Sequence, residues 1–108
     1  MDNKARVIVA LTTVASEDAA RELVKSLVDD RLIACGTIVS RGTSLFRWDG
    51  VLTEETEFVV LMKTRLERWD ALRAAVEERH AYEVPELLAL PVEAGAASYL
   101  QWVVEETR

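Results

Sequence analysis

The residues best suited to chemistry lie together in the last third of the chain, just before an apolar run. They are His80, Tyr82, Glu83 and Glu86, followed by the run at residues 87–92. An imidazole beside carboxylates can bind a cation or transfer protons. Pro85 favours an extended approach to the run, which is typical of a strand, and a strand fixes where such groups point. We therefore expect a ligand site here. The alternative is an ordinary connection between a helix and a strand.

Copper is the metal that the softer candidate ligands favour. Cys35 and His80 are the only cysteine and histidine, and Met1 and Met62 are the only methionines. These are too few for a closed tetrahedral zinc site within one chain. In an oligomer, residues of neighbouring chains can converge, and a thiolate with an imidazole suits copper better than magnesium or calcium. The alternatives are that Cys35 packs as a small buried hydrophobe and that His80 caps a helix end.

Two further side chains are candidates for a ligand cleft. Lys63 lies at the end of a predicted strand, where its ammonium group could meet an anionic ligand. The alternative is that Lys63 is simply solvated. Trp48 can line a cleft or pack in the core or an interface. The carboxylates Glu83 and Glu86 can bind a cation or pair with arginines, of which the candidates are Arg47, Arg65 and Arg79.

No pattern of residues indicates an enzyme. The chain has no Gly-x-Ser-x-Gly motif, no phosphate-binding glycine loop and no second histidine. An acylphosphatase-like enzyme would need a phosphate-binding loop after the first strand, and residues 11–15 contain neither glycine nor arginine. We predict a binding protein without catalytic activity.

Composition limits the partners and the compartment. The 108 residues, half of them apolar, predict one globular domain. The formal charge of -6 disfavours nucleic acid and anionic membrane surfaces, which require clustered basic residues. A single cysteine cannot form an internal disulfide, so we expect a cytoplasmic protein. The N-terminal apolar run is too short for a signal peptide, and no segment is long enough to cross a bilayer.

The first half of the chain predicts a strand, a helix and a hairpin. The apolar run at residues 7–11 predicts the first strand, and Ser16 is a candidate N-cap for an amphipathic helix. An extended segment starts at Leu32, pauses at residues 40–42 and resumes at residues 43–48. Asp49-Gly50 then predicts a tight hairpin turn, because a type I′ turn needs two residues with positive φ.

The second half predicts a strand, a helix, another strand and a terminal helix. The returning strand covers residues 58–64, helical spacing follows between residues 65 and 79, and a last helix follows Gly95. The order βαββαβ with right-handed crossovers predicts an α+β, ferredoxin-like fold: an antiparallel sheet with helices on one face, plus a C-terminal helix. Apolar residues on both faces of its strands predict self-association.

Several long motifs resemble the CutA family, whose members are associated with tolerance to divalent cations such as copper. The resemblance covers nearly the whole chain, which we expect to be a single CutA-like domain at residues 1–108. It implies a ferredoxin-like fold assembled as a homotrimer. Its architecture is also similar to the PII signalling proteins, which bind small ligands in clefts between subunits. The matching segments are Ser-Glu-Asp-Ala-Ala at 16–20, Leu-Ile-Ala-Cys at 32–35, Thr-Ser-Leu-Phe-Arg-Trp-Asp-Gly at 43–50, Lys-Thr-Arg at 63–65, Tyr-Glu-Val-Pro-Glu at 82–86, and Gly95 with Tyr-Leu-Gln-Trp at 99–102.

The chain departs from the family pattern at positions proposed to bind copper. Some bacterial members carry a cysteine near the end of the first strand and paired histidines before the Tyr-x-x-Pro-Glu motif. This chain has Thr12, Arg79 and His80 at those places, so only the histidine is present.

The leading hypothesis is a homotrimer whose clefts between subunits bind a divalent cation, with copper as the candidate cofactor, or a small ligand. The clefts would be lined by some of Cys35, Trp48, Lys63, His80, Tyr82, Glu83 and Glu86. The alternatives are a PII-like sensor of a small anionic metabolite and a structural or partner-binding trimer without a specific ligand.

Overall fold

A computed structural model describes residues 6–108, which form four strands and three α-helices. The elements in chain order are β1 (Val7–Val14), α1 (Glu17–Asp29), β2 (Cys35–Trp48), β3 (Val51–Arg65), α2 (Trp69–Arg79), β4 (Leu88–Pro91) and α3 (Ala97–Glu106). The four strands form one antiparallel sheet in the order β2-β3-β1-β4. The predicted α+β class, with its four-stranded antiparallel sheet and terminal helix, is confirmed. Within residues 6–108, no helix is long and apolar enough to span a membrane.

One face of the sheet, here called the helical face, packs against α1 and α2. Ala10 and Val14 of β1 and Val60 and Met62 of β3 alternate with residues that point the other way, and they meet apolar residues of both helices. Leu23 and Leu27 of α1 and Leu72 and Val76 of α2 belong to this core. This core holds the second half of β1, which leads to the candidate site, against both helices.

The opposite face of the sheet, here called the second face, is covered at one end only. Val103 of α3 packs there against Val7 and Ala34. Beyond α3 this face carries Val39, Leu88 and Leu90, which are 43%, 53% and 47% exposed. The helices α1 and α2 therefore lie on one face, as the sequence predicted, and the terminal helix α3 lies on the other. The apolar residues left uncovered agree with the expectation that both faces of the strands are apolar.

The C-terminal end of α3 is tied to the end of β3 by two arginines. Arg65 donates from Nε to Oγ1 of Thr107 at 3.0 Å and from Nη2 to its carbonyl oxygen at 2.8 Å. Arg68 donates to the same carbonyl at 2.6 Å. The carbonyl oxygens at a helix end lack partners within the helix, so these donors stabilise the end of α3 against the sheet.

The hairpin is longer than the sequence predicted, and two glycines fit its geometry. Asp49 and Gly50 have φ values of 49° and 79°, which confirms the predicted turn. The expected pause at residues 40–42 is a bulge within β2, where the register shifts between Val39 and Gly42. At Gly36 the strand passes so close to α1 that an added Cβ would lie 2.9 Å from methyl carbons of Val24.

Several predicted boundaries are wrong, and the first strand, predicted at residues 7–11, continues to Val14. The extended segment begins at Cys35, not Leu32, because Arg31 adopts a φ of 57° and Leu32 donates back to Leu27 at 3.0 Å, closing the end of α1. The returning strand already begins at Val51, since its partner β2 continues to Trp48. Residue 65 belongs to β3, not to the predicted helical segment, and Leu66 lies in a short 3₁₀ turn and is 38% exposed.

Replacement of Thr12 by valine should stabilise the protein. Thr12 is fully buried, and its Oγ1 has no hydrogen-bond partner among the described residues. A methyl group at this place removes the cost of an unpaired hydroxyl, so we expect the free energy of unfolding to rise by about 1 kcal/mol. Urea denaturation followed by circular dichroism measures this change.

Thr64→Val is the matched control for this prediction. Thr64 is also fully buried, but its Oγ1 donates to the carbonyl of Leu32 at 2.8 Å. Its replacement leaves that carbonyl without this donor and should lower the free energy of unfolding by about 1 kcal/mol. Equal effects of the two substitutions would contradict the assignment.

Candidate functional site

The first polar cluster, here called the Tyr82 cluster, forms where β1 ends beside β3. Val14, the last residue of β1, pairs with Phe58, so Glu57 has no β1 neighbour. Tyr82 occupies this end, and its hydroxyl donates to Oε2 of Glu57 at 2.9 Å. Glu57 is only 7% exposed. A buried carboxylate needs such a donor, so this hydrogen bond fixes both side chains.

His80 holds Tyr82 in this position by using both of its ring nitrogens. Nε2 lies 2.7 Å from the carbonyl oxygen of Thr13, and Nδ1 accepts from the backbone N–H of Tyr82 at 3.0 Å. Because a carbonyl only accepts and a backbone N–H only donates, these partners assign the proton to Nε2. The two rings also contact, with centroids 4.8 Å apart. A metal ion could bind His80 only if one of these hydrogen bonds broke.

The environment of Tyr82 strongly favours its neutral form. Burial raises the pKa of Tyr82 to about 12, together with the hydrogen bond to Glu57 and the negative charges of Glu57 and Glu55. Tyr82 therefore acts as a hydrogen-bond donor at neutral pH.

The two predicted carboxylates on the connection to β4 do not join this cluster. Glu83 and Glu86 are exposed, and neither makes a hydrogen bond or ion pair to another residue of the described part of the chain. Glu57, which was not among the predicted site residues, provides the carboxylate instead. One feature of the sequence could have identified Glu57. It stands two residues before Val59 and four before Leu61, and this alternation places all three on the same face of a strand.

The second polar cluster, here called the Cys35 cluster, lies near α3. Cys35 pairs across the strands with Lys63, and its Sγ is 3.7 Å from the hydroxyl of Tyr99. Lys63 Nζ donates to Thr37 Oγ1 at 2.9 Å and to the carbonyl of Leu61 at 3.3 Å. Burial raises the pKa of the Tyr99 phenol, and contact with Cys35 adds to this shift. No pattern in the sequence pairs Tyr99 with Cys35.

Within one chain, the predicted copper ligands Cys35 and His80 do not meet. His80 contacts Thr13, which pairs with Val59, whereas Cys35 pairs with Lys63. These two positions on β3 are about 13 Å apart at the usual rise per residue of a strand. Among residues 6–108 there is no group of three or more histidine, cysteine, aspartate or glutamate side chains placed to hold a metal ion. Met1 lies outside the described residues.

Trp48 lies far from both clusters. It occupies the last pair before the hairpin turn, opposite Val51, and is 46% exposed. Val51 and Glu57 are about 20 Å apart along β3. Trp48 can therefore join a ligand site only through contact with another chain.

The molecule is a small α+β protein. It has a four-stranded antiparallel sheet, three helices, a long hairpin and two separate polar clusters. Residues 8–106 match the family model described as CutA1 divalent ion tolerance protein. The chain belongs to this family.

Relatives of known name and structure agree with this assignment. The divalent-cation tolerance protein CutA of Thermus thermophilus is 43% identical over 99 residues, which is 92% of this chain and 96% of that protein. Human protein CutA is 39% identical over 101 residues, covering 94% of this chain but only 56% of the human protein. The crystal structure of CutA1 from Oryza sativa has a TM-score of 0.94 at 34% identity, covering 99% of this chain and 98% of that chain. The Thermus thermophilus Cut A1 structure has a TM-score of 0.91 at 42% identity, with 94% and 99% covered.

A titration of Tyr82 tests the geometry of its cluster. The chain has two tyrosines, so Tyr82 is the only tyrosine in the Tyr99→Phe variant. In this background the rise of tyrosinate absorbance at 295 nm should give a pKa of about 12. Adding Glu57→Gln should lower the pKa, because it removes a negative charge, but the pKa should stay above the usual value because the ring remains buried.

Glu54→Gln is the control, because Glu54 is an exposed carboxylate of the same strand. It should leave the pKa of Tyr82 nearly unchanged. Ionisation of Tyr82 near its ordinary pKa in the Tyr99→Phe protein would contradict the contact with Glu57.

Proposed function

We propose that this protein acts in divalent-cation tolerance as a homotrimer that binds a divalent cation, with copper as the leading candidate, in clefts between subunits. The observation that carries the proposal is the incomplete cover of the sheet. Leu88 and Leu90 on the second face and Leu45 and Leu52 on the hairpin are all at least 47% exposed. Apolar patches of this kind mark contact surfaces between proteins. The names of the relatives supply the link to divalent cations.

The strand order supports the ferredoxin-like description that goes with this assembly. In the order β2-β3-β1-β4, β1 and β3 occupy the centre and β2 and β4 the edges. The free edge of β2 and the projecting hairpin are available to a neighbouring subunit, which would give their backbone groups partners. Such contact would also bring Trp48 of one subunit near residues of another.

A copper site would require residues from different subunits to come together. Cys35 and His80 are separated within one chain, and both ring nitrogens of His80 are already hydrogen-bonded. Copper binding through His80 would therefore release either Thr13 or the backbone of Tyr82. We propose that Glu83 and Glu86, which have no partners in the described part of the chain, contribute to the same clefts.

A small anionic metabolite, as in a PII-like sensor, is the second candidate ligand. Lys63 supports it, because its ammonium group contacts only neutral oxygens and has no carboxylate within ion-pair distance among residues 6–108. An anion is the natural partner for such a charge. Binding of an anion should therefore depend on Lys63, whereas binding of a cation should not. A trimer that takes up neither ligand would favour the structural or partner-binding alternative.

The cytoplasm is the proposed location, because the one cysteine cannot form an internal disulfide. Relatives bear other locations in their names: the Archaeoglobus fulgidus structure is described as periplasmic and a rice relative as chloroplastic. Cell fractionation tests this assignment.

Native mass spectrometry tests the assembly. We expect a trimer, and we expect Leu90→Glu to dissociate it because the substitution places a charge on the second face. Val28→Glu is the matched control: Val28 is 38% exposed on α1 and should tolerate the charge without loss of the trimer. A monomeric parent protein, or a trimer that survives Leu90→Glu, would overturn the proposed use of this face.

Copper titration of the same samples tests the ligand. We expect metal uptake in proportion to the number of subunits, reduced at least tenfold in affinity by Cys35→Ser or His80→Ala, because loss of a ligand weakens a metal site strongly. Glu83→Ala should weaken binding less, and Glu93→Ala, another exposed carboxylate, should have no effect. Unchanged copper affinity in the Cys35 and His80 variants would refute a site built from these residues.

A further inference from the structure

On the helical face, a half-open cavity of about 360 Å³ lies between α1 and the segment that follows α2. Its volume falls within the range of small-molecule pockets. It lies on the helical face, opposite the uncovered second face. Val14 and Leu23, which belong to the buried core, form its apolar base.

Small side chains create the space. Ala15 after β1, Ala19 on α1 and Ala81 after His80 line the cavity from three different segments. The ring of His80 forms part of the wall and cannot turn freely, because Thr13 and Tyr82 hold both of its nitrogens. The wall is therefore preorganised, which reduces the entropy lost on binding.

The charges around the cavity favour a cation over an anion. Glu22 lines the cavity and has no hydrogen bond or ion pair within residues 6–108. The one basic side chain of the lining, Arg79, is already neutralised: Nη2 donates to Asp30 at 2.6 Å and Nη1 to Ser26 at 3.1 Å. One carboxylate is thus left beside an apolar pocket.

We propose that this cavity binds a small amphipathic amine, with its apolar body on Val14, Leu23 and the alanines and its ammonium group beside Glu22. The cavity volume accommodates a single aromatic ring with a short alkylamine chain. The cavity shares His80 with the proposed copper clefts, but the amine site rests on Glu22 and the apolar lining and does not rest on copper binding.

Binding of phenethylamine to the full-length protein, followed by NMR shifts of the alanine methyl groups, tests the proposal. We expect saturable shifts at Ala15, Ala19 and Ala81 with a dissociation constant of about 1 mM, as befits a ligand of this size. Glu22→Gln should raise the dissociation constant by about two- to fivefold, since the lost ion pair is partly exposed. Glu78→Gln, an exposed carboxylate of α2 outside the cavity, should leave it unchanged.

Filling the cavity provides the second arm of the test. Ala19→Leu should abolish the shifts. Ala81→Val should do the same, and because Ala81 lies in an exposed segment, this second variant tests the proposal if the larger side chain on α1 impairs folding. Phenylacetate, which has the opposite charge, should bind more weakly than the amine. Tighter binding of phenylacetate, equal binding in the Glu22 and Glu78 variants, or shifts that persist after either filling substitution would overturn the proposal.

Discussion

The difference in length between β1 and the hairpin strands is the constraint on which the rest of the structure depends. β1 has 8 residues, whereas β2 and β3 have 14 and 15. Beyond Val14 the hairpin continues without a neighbour on its inner side, which leaves its apolar residues exposed. At the same point the gap beside β3 admits Tyr82. One mismatch thus produces both the exposed hairpin, which is part of the surface proposed for assembly, and the place of the Tyr82 cluster.

The hydrogen bonds around His80 assign it a structural task that competes with metal binding. Its two nitrogens link the end of β1 to the backbone of Tyr82, and Tyr82 in turn holds the buried Glu57. A metal that took a nitrogen of His80 would therefore also disturb the partner of a buried carboxylate. Metal binding at His80, as proposed, would therefore be coupled to the order of this connection through shared atoms.

The two faces of the sheet divide the possible functions of the molecule. The helical face is covered by α1 and α2. The cavity near His80 is formed by small side chains and lies beside Glu22, which has no hydrogen bond or ion pair within residues 6–108. The second face is open except beneath α3, and the Cys35 cluster lies at the boundary of that cover. Ligands on the second face would meet neighbouring subunits, whereas a ligand in the cavity would lie between α1 and the segment that follows α2.

The sequence by itself determined the elements and their order, because these follow from local periodicity and turn chemistry. The N-cap at Ser16 and the Asp49-Gly50 turn are examples, since each depends on residues that are close in the chain. It also identified Tyr82 and His80 as neighbours. Only the tertiary structure decided that Glu57 rather than Glu83 meets Tyr82, that Tyr99 meets Cys35, and that Cys35 and His80 lie apart. These outcomes depend on strand register and on where β1 stops, and the pairing of strands distant in sequence is set by the packing of the whole core.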